Sequence, residues 1–352
     1  NTATFAYQDS PRITTVVDNE GNASIDEYDD KFRLVKETDA LGRSMVYEYD
    51  DDNNRTLVRD RENHVTNTEY DERGNVIRII DPLNQETISN YNARNLVTYH
   101  LDPSGAETRY LYDGLDYNLI KVTDAENGVT LMERFGNGLL RTLTNANNFA
   151  TRFTYDAYAN PATVLDPLDG LTRYVYDIVG RRTEMTDANE HTARFEYDNN
   201  DRLVATTDPK VRVTRFDFDA VGNLKRTVDR RGNATDYDYD ENDSLIKVTD
   251  PRGFSSVFGY DRQYHRTSTR NRRGFITAYT YDVVYDLKVI TDAKGNQTAF
   301  HYDADHLLVS AIDALAGTTQ YVYDELHRLI QMTDALDGVT VYTYDPVGRL
   351  TK

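Results

Sequence analysis

The chain has 352 residues and no cysteine, so neither disulfides nor thiolate metal sites hold it together, and its thiol content leaves secretion open. No apolar run approaches the roughly eighteen residues of a membrane helix, which excludes a helical span within this sequence. Residues 1–20 lack the basic start and apolar core of a signal peptide, so an export address, if the parent protein carries one, lies outside this chain. Clustered Lys and Arg are missing as well. The net charge is −19, and a nucleic-acid surface needs grouped cations to release counterions, so nucleic acid is excluded as a partner. There is no G-x-S-x-G and no Ser/His spacing that pattern can bring together, which removes the common nucleophile signatures.

What is present is one short unit, repeated. Tyr7, Tyr28, Tyr49, Tyr70, Tyr91 and Tyr112 recur every 21 residues, followed after a slip of one residue by Tyr155, Tyr176, Tyr197, Tyr239, Tyr260, Tyr281, Tyr302, Tyr323 and Tyr344. Phe218 and Arg134 fill the two remaining landmarks, giving 17 in all. The slip falls in Gly114-Leu115-Asp116-Tyr117-Asn118, in what should be a turn, where an insertion costs little. Stacked on this period, the chain reads T-x-Y-x-Y-D-x-x-G-R-L-x-x-x-T-D-x-x-G. Its landmark dyads include Tyr28-Asp29, Tyr49-Asp50, Tyr176-Asp177, Tyr239-Asp240, Tyr281-Asp282, Tyr302-Asp303, Tyr323-Asp324 and Tyr344-Asp345. A fixed period of this size means that each unit buries apolar surface only against its neighbours. Residues 1–352 are therefore expected to form a single continuous array, and the absence of atypical capping units at either end suggests a piece of a longer polypeptide.

The repeat predicts β structure. Thr172, Tyr174 and Tyr176, like Thr277, Tyr279 and Tyr281, alternate with a period of two, which places them on one face of a strand. Asp and Gly then mark a turn twice per unit, as in Asp177-Ile178-Val179-Gly180 and Asp292-Ala293-Lys294-Gly295, leaving two strands of about six or seven residues. Pro82, Pro103, Pro167, Pro209 and Pro251 all follow the T-D Asp, outside the ladders. The fold class is all-β: a repetitive antiparallel β-hairpin ribbon of about 17 units, which strand twist would coil into a spiralling shell or solenoid. Twenty-eight of the 59 acidic residues sit at the two turn positions, so the acidity is mostly turn chemistry rather than a sign of cationic partners.

These residues resemble the RHS/YD repeat of bacterial rearrangement-hotspot proteins, of toxin-complex shell subunits and of teneurins. The likeness runs over essentially the whole chain and is most specific at Tyr176 to Arg181 and Tyr344 to Leu350. It implies a hollow β-sheet shell, often holding a C-terminal toxic polypeptide before delivery. The bacterial proteins follow the shell with a self-cleavage segment rich in D-P-x-G; nothing after Asp345-Pro346-Val347-Gly348 continues in that way, so cleavage and cargo are not expected within this chain.

The remaining residue patterns offer little other chemistry. Carboxylate pairs among Asp50, Asp51 and Asp52, or between Asp240 and Glu241, are better read as turn residues than as an acid/base couple. Asp50-Asp51-Asp52-Asn53-Asn54 and Asp124-Ala125-Glu126-Asn127-Gly128 offer hard oxygens for calcium but match no complete calcium loop. His306 and His327 occupy equivalent positions in successive units, two strands or about 9.6 Å apart, too far to share a zinc ion. Sequons such as Asn54-Arg55-Thr56, Asn233-Ala234-Thr235 and Asn296-Gln297-Thr298 arise partly from the repeat itself. The aromatic rows could meet sugar rings, yet 22 of the 27 tyrosines sit at the two ladder positions, as packing alone demands. The reading is a non-catalytic shell segment of a large exported RHS-type protein that encloses a polypeptide cargo, without cofactor or metal. The alternative is a cell-surface array binding glycan or another protein. Both place the chain outside the cell.

Overall fold

The structure, a computed structural model, describes residues 3–9, 12–18, 20–114 and 118–352. Among them are 33 strands in one sheet and no helix. Strands consecutive in sequence pair antiparallel, as Ala23–Tyr28 does with Leu34–Thr38 and Leu34–Thr38 with Ser44–Tyr49. The chain forms two compact units by contact density, Asn1–Glu107 with Phe258–Lys352, and Thr108–Val257.

The 21-residue period has a simple partition. A six-residue strand such as Ala23–Tyr28 is followed by a five-residue turn, a five-residue strand such as Leu34–Thr38 and a second five-residue turn. The second strand is shorter than its sequence suggests because each Asp-led turn takes five residues. In both kinds of turn the leading residue donates its amide to the carbonyl four residues on: Asp177 N to Arg181 O at 3.0 Å, Asp39 N to Arg43 O at 3.0 Å. Leu115, Asp116 and Tyr117 of the register slip lie outside the described residues. The turn around them closes from Asp113 N to Asn118 O at 2.9 Å, a span of five rather than four.

Pairing differs at the two ends of each strand. Across a turn that follows a landmark Tyr, hereafter a Tyr-side turn, the ladder carries a bulge just before the landmark, as between Glu48 and Tyr49. Six pairs form between Arg12–Val17 and Ala23–Tyr28, whereas across most Thr-side turns only three form, as Lys36 with Val46, Glu37 with Met45 and Thr38 with Ser44. Beyond them the strands lead into separate Tyr-side turns, and the landmark tyrosine lies in the space between.

The described residues form no layered core. Among the described residues only Tyr47 and Ala205 are buried, at 9% and 5% exposure. Burial alternates along strands such as Val65–Tyr70, where Thr66, Thr68 and Tyr70 are half-buried and Asn67 and Glu69 exposed, so the Thr and aromatic positions share one face. Cohesion must then come from neighbouring strands and turns, the nearest-neighbour regime of repeat proteins.

Candidate functional site

The side chains that hold such a sheet together are those that join one repeat to the next and one turn to another. Each turn is organised by its leading carboxylate. Asp177 Oδ1 accepts the amides of Val179 at 3.1 Å and Arg181 at 3.0 Å, while Oδ2 accepts Arg181 Nε at 2.7 Å. Asp29 and Asp198 make the same three bonds to Lys31 and Arg33 and to Asn200 and Arg202. The fourth residue of the turn takes positive φ, which suits Gly180 at 87° and Asn53 at 70°. Such donors hold several of the turn carboxylates, Asp29, Asp198 and Asp229 among them, below the ordinary range. Asp208 is held at about 2, chiefly by the Arg212 side chain and amide. At Asp177 burial pushes the pKa up, but the Arg181 and Val179 bonds outweigh it.

The arginine of G-R-L reaches the next unit. Arg181 Nη1 donates to Asp198 O at 2.9 Å while its guanidinium lies 5.1 Å from the Tyr197 ring centre. Arg33 does the same with Asp50 O at 2.7 Å and Tyr49 at 4.8 Å, and Arg328 with Asp345 O at 3.3 Å and Tyr344 at 5.0 Å. Landmark tyrosines reach the opposite way. The hydroxyls of Tyr49, Tyr197, Tyr239, Tyr323 and Tyr344 donate to the carbonyls of Leu34, Arg182, Leu224, Leu308 and Leu329, each fifteen residues earlier, at 2.8–3.1 Å. Those carbonyls open the second strand, beyond the three-pair ladder, so the phenol supplies the donor that the ladder does not. Arg134, the non-aromatic landmark, substitutes Nη2 for the hydroxyl and donates to Leu119 O at 3.3 Å.

The remaining landmarks sit in the same places. Tyr28, Tyr176, Tyr281 and Tyr302 end their first strands, and Tyr281 Oη bonds Arg266 O at 3.0 Å. Burial, the largest influence, pushes Tyr176, Tyr239, Tyr281, Tyr302 and Tyr323 above the usual phenol value. Asp50, Asp240, Asp282, Asp303, Asp324 and Asp345 open Tyr-side turns. In the two oxygen-rich segments weighed for calcium the leading carboxylate is taken up by the turn. Asp50 accepts Asp52 N, Asn54 N and Asn54 Nδ2, each at 2.9 Å, and Asp124 accepts Gly128 N at 2.6 Å. The sequon asparagines Asn54, Asn233 and Asn296 each close a turn, the first Tyr-side and the other two Thr-side, and their side-chain amides each donate to the Asp four residues before.

Within the unit Asn1–Glu107 with Phe258–Lys352, the two kinds of turn also meet each other. Thr-side turns of residues 18–64 lie against Tyr-side turns of residues 282–327. Tyr285 Oη bonds Asp18 and lies 3.2 Å from Asn22 Nδ2. Arg43 Nη1 donates to Asp303 O at 2.8 Å. Asp305 accepts the amides of Arg61 and Glu62, both at 3.0 Å, and Glu62 Oε1 in return accepts Ala304 N at 2.8 Å. Partners are up to 267 residues apart in sequence. His306 turns to Asp286, at 2.9 Å, whereas His327 reaches Asp60, at 3.2 Å. No spacing rule pointed to this seam, since its pairs belong to no common repeat; the exposed turn side chains were the only signal.

A family model for the RHS repeat matches residues 176–210, 218–255, 302–339 and 323–352. These segments, together about a third of the chain, carry the RHS repeat. Among solved structures it resembles the crystal structure of TcdB2-TccC3, at 15% identity and a TM-score of 0.61 over 99% of this chain and 25% of that one. The Photorhabdus luminescens Tc holotoxin pore matches at 14% identity and 0.57, over 99% and 24%. TcdB2-TccC3 without its hypervariable C-terminal region matches at 15% and 0.53. At these identities the likeness is one of fold, and the chain spans about a quarter of the length of those it matches. No curated protein matches it. No helix among the described residues is long and apolar enough to cross a membrane.

Proposed function

We propose that this RHS-repeat chain is a non-catalytic wall segment, one continuous array over residues 1–352, of a large exported protein that encloses a polypeptide cargo outside the cell. The observation that carries the reading is the seam. A sheet that must contain something needs its edges sealed, and here Thr-side turns bond Tyr-side turns through backbone and side-chain donors at 2.8–3.2 Å. The fold shared with TcdB2-TccC3 supports it. The landmark dyads serve as couplers in this reading: Tyr hydroxyls and turn carboxylates are committed to backbone donors and acceptors, which leaves them little capacity for acid/base work or for a sugar.

The test is electron cryomicroscopy of the full-length parent purified from its source. Density enclosed by the sheet, together with a C-terminal fragment that copurifies without a covalent link, is the expected result. An open ribbon with no enclosed density, or glycan binding lost in Tyr237→Ala and Tyr279→Ala with far-UV dichroism unchanged, would refute the carrier role and favour surface adhesion.

A further inference from the structure

We propose that Asp60, His64, Asp305 and His327 form a binding site for zinc or a similar borderline divalent cation, which clasps the seam. The four side chains come from three turns: Asp60 and His64 from one Thr-side turn, Asp305 and His327 from two successive Tyr-side turns. Each can place a ligand atom within 4.8 Å of the other three.

The donor set and its spacing suit such an ion. His64 Nδ1 lies 3.0 Å from Asp60 Oδ2, His327 Nε2 lies 3.2 Å from the same oxygen, and His327 Nε2 lies 3.6 Å from Asp305 Oδ2. A tetrahedral ion with bonds of about 2.0–2.1 Å needs ligand atoms roughly 3.3–3.4 Å apart, which these separations bracket. Two imidazoles with two carboxylate oxygens select a borderline cation over calcium or magnesium, which take oxygen only. Amide donors orient both carboxylates, and Asp305 Oδ2 itself accepts Glu62 N at 3.0 Å, which leaves it a further lone pair for the ion. Asp60 Oδ1 accepts Glu62 N at 3.0 Å and His64 N at 2.8 Å, and Asp305 Oδ1 accepts Arg61 N at 3.0 Å. Arg61, the cation of the same turn, is directed instead towards Asp39 at 3.6 Å and Glu37 at 3.8 Å, so two carboxylates face two imidazoles.

The seam supplies what a single turn cannot. Asp187 with His191, at 3.3 Å, and Asp261 with His265, at 3.2 Å, repeat the same Asp-to-His pairing within one turn. Neither belongs to a cluster of three or more candidate ligands among the described residues. Asp305 and His327 arrive at Asp60 from 245 and 267 residues further along the chain, with a ring contact of 5.9 Å between His64 and His327. A metal bound there ties one row of turns to the other.

The full chain, stripped with a chelator, should be titrated with zinc by calorimetry and with cobalt by visible absorption. The expected result is one tight equivalent with the intense absorption of four-coordinate cobalt. Affinity should fall at least tenfold in His64→Ala and in His327→Asn and stay unchanged in His191→Ala. Zinc should also slow amide exchange in both 60–64 and 303–306 of the unaltered chain, a readout that needs no variant to fold. No saturable binding, equal binding in the His64 and His327 variants, or protection confined to one row would overturn the site.

Discussion

The landmark tyrosine is the most direct place to test how one unit holds the next. Tyr197 Oη donates to Arg182 O at 3.0 Å, and Tyr197→Phe deletes that bond while keeping the ring under the Arg181 guanidinium, 5.1 Å away. A net protein hydrogen bond contributes about 1 kcal/mol, so the loss should be of that order. The chain also provides the reverse experiment. Phe218 stands at a landmark, packed under Arg202 at 4.8 Å, and Phe218→Tyr should place a hydroxyl at the carbonyl fifteen residues earlier, that of Leu203, with a gain of about 1 kcal/mol. Because a repeat array opens locally and need not unfold in one step, a bulk melting temperature is the wrong measure. Amide exchange around 182–186 and 203–207 should respond about fivefold in opposite directions, since 1.4 kcal/mol is a factor of ten. If both substitutions are neutral, or if Phe218→Tyr speeds exchange, the hydroxyl does not couple the units.

Three further outcomes follow from the turns. Turn carboxylates such as Asp71, Asp208 and Asp229 are held below their ordinary value by amide and side-chain donors, so protons bind the unfolded chain first. Their stabilisation should be complete above about pH 4 and disappear as pH falls towards about 2, seen as an acid transition in far-UV dichroism that Asn at these sites would flatten. Val211 occupies the positive-φ turn position at 61° with a β-branched, exposed side chain; Val211→Gly should stabilise the local hairpin by about 1 kcal/mol, measured as slower exchange at 208–212. Asp305→Ala removes the acceptor of the Arg61 and Glu62 amides and should raise exchange at 60–64 while leaving 187–191 untouched; equal changes in both would discount the seam.

Much of the fold is legible because its determinants are local. Asp177, Gly180 and Arg181 form a turn from bonds that span at most four residues, and the alternation of Thr172, Tyr174 and Tyr176 fixes a strand face. The couplers are only half-legible. That Tyr197 and Arg181 recur is plain in the repeat, but their partners, Arg182 O and Asp198 O, are backbone atoms that no residue type announces.

The sequence by itself therefore determined the period, the division of each unit into strands and turns, and the carboxylate chemistry of every Asp-led turn, because those depend on contacts between near neighbours in the chain. Only the tertiary structure decided which turns meet. Spacing alone gave His327 no partner, since His306, its equivalent one unit earlier, lies too far away; in the fold His306 bonds Asp286 and His327 finds Asp60 and His64. Such a meeting depends on small twists summed over many strand pairs, and a sum of that kind has no signature in any one repeat.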